Sequence, residues 1–214
     1  MKVTLIAQTE NAEELCGQAA AVSTNTANIK SALRSALESG HTSVLEHAVY
    51  TFRVEGLSRA ALAQLTRHRL ASFVVQSQRY VKLKAPEMVM PESIAASEFE
   101  EEAKKIMALS FELYQRMAEA GIPYEDARYV IPQAVCTTVV MTMNARELLH
   151  FFSLRTCSRA QWEIRLLAEK MLKLCRQSAP LIFGKAGPGC VRGHCPEKRS
   201  CGKAKTNDKD NETV

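Results

Sequence analysis

Hydrophobic positions recur with two different periods along this chain. Residues 48–56 (AVYTFRVEG) set Tyr50, Phe52 and Val54 against Val49, Thr51 and Arg53, a two-residue alternation that predicts a half-buried strand. Residues 1–9 (MKVTLIAQT) are β-branched and alternate in part, which predicts a first strand. Residues 134–143 (AVCTTVVMTM) are β-branched and uninterrupted, as in a buried strand. Elsewhere helical spacing takes over. Short helices are predicted near 12–18 and 29–39, the second ended by Gly40. Ser58 caps a helix carrying Ala61, Leu62 and Leu65. A long amphipathic helix over 98–120 presents Phe99, Ala103, Ile106, Met107, Phe111, Tyr114 and Met117. Gly121 ends it, and Pro123 opens the next short helix at its first position. Asn144 with Glu147 three residues on forms a capping box for a helix over 145–154. A further helix over 159–177 carries Ile164, Leu167, Ala168, Met171, Leu174 and Cys175 on its apolar face. Residues 85–97 hold two prolines and few periodic apolars, and predict a loop. The sum is an α+β fold: a single domain with a small, mostly antiparallel sheet flanked by several helices.

Composition sharpens this. At 214 residues, 46% hydrophobic and 24% charged, the chain suits one globular domain, placed at 1–180, followed by a Gly/Cys/Lys-rich tail at 181–214. No apolar run approaches the roughly 18 residues of a membrane span, and the N-terminus lacks the features of a signal peptide, so a cytoplasmic protein is expected. Seven cysteines in such a compartment point to thiols or a metal site over a disulfide framework. The net charge of +5 divides into +3 from residues 184–214 and +2 from the rest, and a body that neutral is a poor general nucleic-acid binder. Locally the balance differs. Between Glu55 and Glu87 there is no carboxylate, while Arg59, Arg67, Arg69, Arg79, Lys82 and Lys84 all fall there. Such a run is either a solvated basic face or an invitation to an external anion.

The chain has no GxGxxG and no GxxxxGK[ST], and no glycine at all between Gly56 and Gly121. A phosphate held in the basic segment must therefore meet side chains and helix N-termini, and the planar fork of arginine fits phosphate oxygens. There is also no HExxH and no GxSxG. Arg67, His68 and Arg69 are followed, seven residues on, by Ser77 and Arg79 flanking Gln78. This RHR-x7-S-x-R pattern closely resembles the signature of the flavin-dependent thymidylate synthases. The surroundings agree in order. GHTSVLEH (40–47) resembles the segment upstream of that signature, Gln64 stands three residues before Arg67, and Arg128 stands sixteen before Asn144. NARELLHFFSLRTCSRAQWEIR (144–165) resembles the family's downstream segment, and the likeness covers about residues 1–180.

The resemblance implies an enzyme that makes dTMP from dUMP, with methylenetetrahydrofolate as carbon donor and NADPH as reductant through bound FAD. It implies an FAD site at Ser23, His41, Ser43, Glu46, Arg67, His68, Arg69, Asn144, Arg146 and His150. It implies a dUMP site at Gln64, Gln76, Ser77, Gln78, Arg79, Arg128 and Arg155, with Ser77 and Arg79 on the phosphate. Ser77 and Arg155 are the implied catalytic pair, Arg155 stabilising negative charge on the pyrimidine. It further implies a homotetramer with FAD sites between subunits, and no nucleic-acid or membrane partner. Three positions depart from the family pattern: Val75 where many members carry Glu or Gln, His150 where Asn is expected, and Ser43 for a commoner Thr.

Taken singly, these residues have plainer readings. His47 reads equally as a buried histidine or a site residue, Glu46 as a surface carboxylate, Arg146 as a first-turn helix residue and Asn144 as a cap. Cys157, between Arg155 and Arg159, reads as a helix-packing thiol before a reactive one. In the tail, Cys190, His194, Cys195 and Cys201 lie within twelve residues; zinc ligation and a thiol-bearing tail both remain open, and the spacing is not that of a standard finger. The rival functional readings are a basic nucleic-acid-binding protein and a non-catalytic scaffold.

Overall fold

Alternation along two central strands organises the backbone. In the computed structural model, which describes residues 1–84, 87–192 and 195–202, β1 (Lys2–Gln8) is followed by helices α1 (Ala12–Thr24) and α2 (Ile29–Glu38) and a 3-10 turn at Thr42–His47. Then come β2 (Val49–Ser58), α3 (Arg59–Leu65), β3 (Ala71–Val75), α4 (Glu92–Ala95), α5 (Glu100–Glu119) and α6 (Tyr124–Ala127). After β4 (Cys136–Asn144), the helices α7 (Ala145–Arg155), α8 (Trp162–Ser178) and α9 (Pro180–Phe183) complete the set. The four strands form one open antiparallel sheet in the order β1-β2-β4-β3. β2 buries Tyr50, Phe52 and Val54, and β4 buries Thr137, Val139, Met141 and Met143, every second residue in each case. The mixed helix and sheet architecture is the one the sequence predicts. Among the described residues no helix is long and apolar enough to cross a membrane.

Caps fix the helix starts. Asn28 Oδ1 accepts the Ser31 N–H at 3.0 Å, Ser58 Oγ the Ala61 N–H at 3.0 Å, and Asn144 Oδ1 the Glu147 N–H at 2.9 Å. Gly40 and Gly121 take φ of 74° and 87° just past α2 and α5, the left-handed stop that glycine makes cheaply. Gly17 serves a different purpose. A Cβ there would lie 2.4 Å from Ile29 Cγ2 and 2.8 Å from its carbonyl oxygen, so glycine lets the start of α2 lie against α1.

Backbone contacts divide the chain into two compact units. The first comprises Met1–Lys2, Arg53–Arg67 and Phe73–Val140. Its core gathers Leu83, Tyr114, Ala127 and Val135, with Phe111, Met117, Val130 and Ile131 packed on them. The buried Tyr114 hydroxyl accepts the Leu83 N–H at 3.0 Å. The second comprises Val3–Phe52, His68–Ser72 and the described residues from Met141 on. Its aromatic cluster sets Phe183 edge-on to Tyr50 at 5.4 Å and to Phe152 at 6.0 Å between ring centres.

Several local expectations change. Residues 71–75, for which no element is predicted, form strand β3 at the edge of the sheet. The segment 85–97 contains the short helix α4. Pro123 caps α6 instead of opening it, because its ψ of 141° is extended. α5 buries Tyr114, but Phe99 and Ile106 are more than half exposed, so its expected apolar face is only partly covered. On α8 the expected Ile164, Leu167, Ala168, Met171 and Cys175 are buried, but Leu172 is buried with them where Leu174 is expected, and Leu174 is half-buried.

Candidate active site

The carboxylate-free basic segment threads α3, β3 and the turn after it, and in the first unit these elements gather cations. α3 starts at Ser58, so Arg59 stands in its first turn. The Arg59 guanidinium donates to the Gln76 carbonyl oxygen at 2.8 Å, which ties α3 to the end of β3. Gln76 N–H in turn donates to Thr138 O at 2.9 Å, continuing the ladder with β4. Arg59 Nε is buried and has no hydrogen-bond partner among the described residues. Burial and then the nearby Arg128 charge hold its pKa below the usual guanidinium value, yet a guanidinium stays protonated at neutral pH. Arg59, Gln78 and Arg128 line one cleft of about 440 Å³ together with Thr66, Tyr129 and Gln133. Two guanidiniums and an amide around one cleft are a donor set suited to an anion.

The turn that follows β3 is closed by its own serine. Ser77 Oγ accepts the Arg79 and Tyr80 N–H groups at 3.1 and 3.3 Å. Arg79 is exposed, lies over the Tyr80 ring at 5.2 Å and pairs through Nε with Glu125 Oε2 at 2.7 Å. Glu125 O also accepts from Arg128 Nε at 3.0 Å. Gln64 is half-buried, and Arg67 lies exposed just past α3. The expected dUMP residues other than Arg155 thus fall in the first unit, with Gln78 and Arg128 in its cleft.

The second unit holds nine of the ten expected FAD residues, all but Arg67, and Arg155 as well. Ser23, His41 and Ser43 line a cleft of about 600 Å³ with Thr24, Ser35 and His47. No carboxylate lines it, and hydroxyls and imidazoles are the donor set a diphosphate needs, so the residues fit a dinucleotide. His47 is exposed and faces this cleft, which overturns its reading as a buried histidine. Glu46 and Arg146, both exposed, form an ion pair that joins the 3-10 turn to the start of α7. Asn144 caps α7, as expected. His150 and Arg69 are exposed.

His68 is placed differently from its neighbours. It is only 4% exposed, packed edge-on to Phe151 at 4.9 Å. Its Nδ1 lies 2.9 Å from Glu147 Oε1, and its Nε2 accepts the Arg155 Nε–H at 3.1 Å. Burial, the largest influence, pulls its pKa below the ordinary histidine value; Glu147 opposes this and Arg155 adds to it. Glu147, expected only to complete a capping box, turns its carboxylate to this ring. Glu147 is a functional candidate that residue patterns missed, and Arg59 one they marked as a cation without assigning it to a site. For Arg59 the signal was the carboxylate-free run; for Glu147 there was none.

Cys157 lies half-buried between α7 and α8, outside any helix. Of the four tail residues, Cys190, Cys195 and Cys201 are described and His194 lies outside the described residues. Among the described residues no group of three or more His, Cys, Asp or Glu side chains is placed to hold a metal.

Comparison with known proteins adds an independent line. The thymidylate synthase complementing protein family matches residues 4–181. The chain is 52% identical over 169 residues to a flavin-dependent thymidylate synthase of Geobacter sulfurreducens, covering 77% of this chain and 73% of that one. A flavin-dependent thymidylate synthase of Pyrococcus abyssi is 47% identical over 184 residues, 81% and 75% of the two chains. One from Nitratidesulfovibrio vulgaris is 45% identical over 183 residues, 80% and 75%. Matched over most of its length, the chain belongs to the thymidylate synthase complementing protein family, the family of the flavin-dependent thymidylate synthases.

Proposed function

We propose that this chain is an FAD-dependent thymidylate synthase that makes dTMP from dUMP, with methylenetetrahydrofolate as carbon donor and NADPH as reductant. The reading is supported first by its near-half identity with relatives of that name. The observation in the chain itself that carries it is the cationic cleft of Arg59, Gln78 and Arg128. The nucleic-acid and scaffold readings gain no support from these comparisons.

In this reading Arg128, Gln78, Arg79 and the Ser77 turn bind dUMP, with Gln64 and Gln76 beside them. The phosphate displaces Glu125 from Arg79, an exposed ion pair that costs little to break. Arg155 supplies positive charge to the pyrimidine as negative charge develops there. Ser23, His41, Ser43, Glu46, Arg67, Arg69, Asn144, Arg146 and His150 hold FAD, with His68 behind them. When bound, FAD supplies the two-electron carrier between NADPH and the nucleotide. The enzyme acts as a cytoplasmic homotetramer with FAD sites between subunits, each chain a single catalytic domain at 1–180 with a tail.

The test is turnover. Purified protein given dUMP, methylenetetrahydrofolate, NADPH and FAD is expected to yield dTMP, resolved chromatographically, and to yield none when dUMP, methylenetetrahydrofolate or NADPH is withheld. Absence of dTMP from the complete mixture overturns the proposal.

A further inference from the structure

The resemblance leaves Glu147 without a role, yet the structure spends a buried carboxylate on it. Glu147 is 5% exposed and sits in the first turn of α7; His68 arrives from the segment between α3 and β3. Arg155 closes the last turn of the same helix as Glu147 and reaches back to His68. The three side chains form a line in which each bond constrains the next.

The protonation states follow by elimination. A guanidinium N–H can only donate, so His68 Nε2, at 3.1 Å from Arg155 Nε, must carry a lone pair. Burial keeps the imidazole neutral, so its one proton sits on Nδ1. Glu147 Oε1, 2.9 Å away, accepts that proton's hydrogen bond. Remove the carboxylate and the buried Nδ1–H loses its acceptor, which favours the other tautomer. That tautomer points an N–H at the Arg155 N–H, and the guanidinium loses the bond from Nε to the ring that fixes its direction.

We propose that Glu147 is a positioning residue, fixing the His68 tautomer that anchors Arg155 in the orientation used at the pyrimidine. This rests on the reading of Arg155 as the group that meets the nucleotide. The arrangement resembles the support of a metal-bound histidine by a carboxylate, with a guanidinium in place of the metal. Helix α7 and the two hydrogen bonds at the ring nitrogens convert a buried charge into a fixed direction.

The first test needs no variant of Glu147. Holoenzyme labelled with 15N at its histidines, with the His68 signals assigned by loss in His68→Gln, is expected to show Nδ1 protonated and Nε2 bare. An Nε2–H tautomer or an imidazolium at neutral pH overturns the proposal. Kinetics supply the second. Glu147→Leu is expected to lower kcat about 100-fold, the scale of a small misplacement of a reacting group, while the KM for NADPH and the flavin content hold. Glu147→Gln, whose amide oxygen accepts the same N–H, recovers at least tenfold of that loss; a variant damaging only the fold would show no such rescue. A Leu variant with kcat near the parent's, or a Gln variant as slow as Leu, overturns the proposal. Should Glu147→Leu fail to fold, the tautomer and the Gln variant decide. Arg155→Lys separates the two levels. If it is inactive while Glu147→Leu is active, only this inference falls; if it matches the parent, the assignment of Arg155 falls and takes this inference with it.

Discussion

Asn144 is given two tasks, and a pair of substitutions separates them. Its Oδ1 accepts the Glu147 N–H at 2.9 Å at the head of α7. In the proposed site its amide also meets FAD. Loss of an N-cap acceptor costs about 0.5–2 kcal/mol, typically about 1. For a chain of this size that is worth roughly 2–4 °C in Tm. Asn144→Ala is therefore expected to melt about 2–4 °C below the parent. Asn144→Asp keeps an acceptor in the same place and adds negative charge at a helix N-terminus, where it is favoured, so its Tm stays within about 1 °C. The same change removes both amide donors. FAD binding, followed by quenching of flavin fluorescence, should weaken in both variants, and in Asp at least as much as in Ala. Circular dichroism melts of the apoprotein read the cap, and the titration reads the ligand. An Asp variant that melts as low as Ala refutes the capping arithmetic. An Asp variant that binds FAD like the parent refutes the flavin contact.

Other outcomes test separate parts of the account. Arg79→Ala should weaken dUMP binding measured by calorimetry and leave flavin bound; unchanged nucleotide affinity contradicts its assignment. Arg59→Lys keeps the charge but loses the fork that holds the Gln76 carbonyl beside the cleft, so dUMP affinity should fall on the order of tenfold or more. Parent-like affinity would remove Arg59 from the anion site. Burial pushes the Cys16 thiol up to about 11 and Cys175 to about 12 from an ordinary 9.0. Both are protonated in the folded protein at pH 8, so thiol reagents with mass mapping should modify the exposed Cys201 and spare these two. Because the unfolded thiols ionise first, their contribution to stability is full below pH 9 and is lost as pH rises toward 11 to 12. Denaturant melts that hold steady across that range contradict this.

The sequence made the central strands and the helix starts readable because each is decided locally. Tyr50, Phe52 and Val54 alternate, and Ser58 and Asn144 stand where caps must stand. What it hid is decided by partners far along the chain. β3 is a five-residue edge strand with Ser72 and Val74 exposed, so its own pattern is weak. Pairing beside β4 makes it a strand. The periodicity of α5 marked an apolar stripe but not which part of it finds a neighbour; Tyr114 does, against Leu83, and Ile106 does not. At the candidate site, the order of Arg67, His68, Arg69, Ser77 and Arg79 was legible as a motif. That His68 is buried between Glu147 and Arg155, 79 and 87 residues away, was not. Nor was the bond from Arg59 to the Gln76 carbonyl, which exists only once β3 ends where it does.

The visible absorption spectrum of the purified protein tests the central claim most directly, taken anaerobically with NADPH, with and without dUMP. The expected result is a flavin spectrum that bleaches, and faster when dUMP is present. A protein that stays colourless after FAD is added would contradict it.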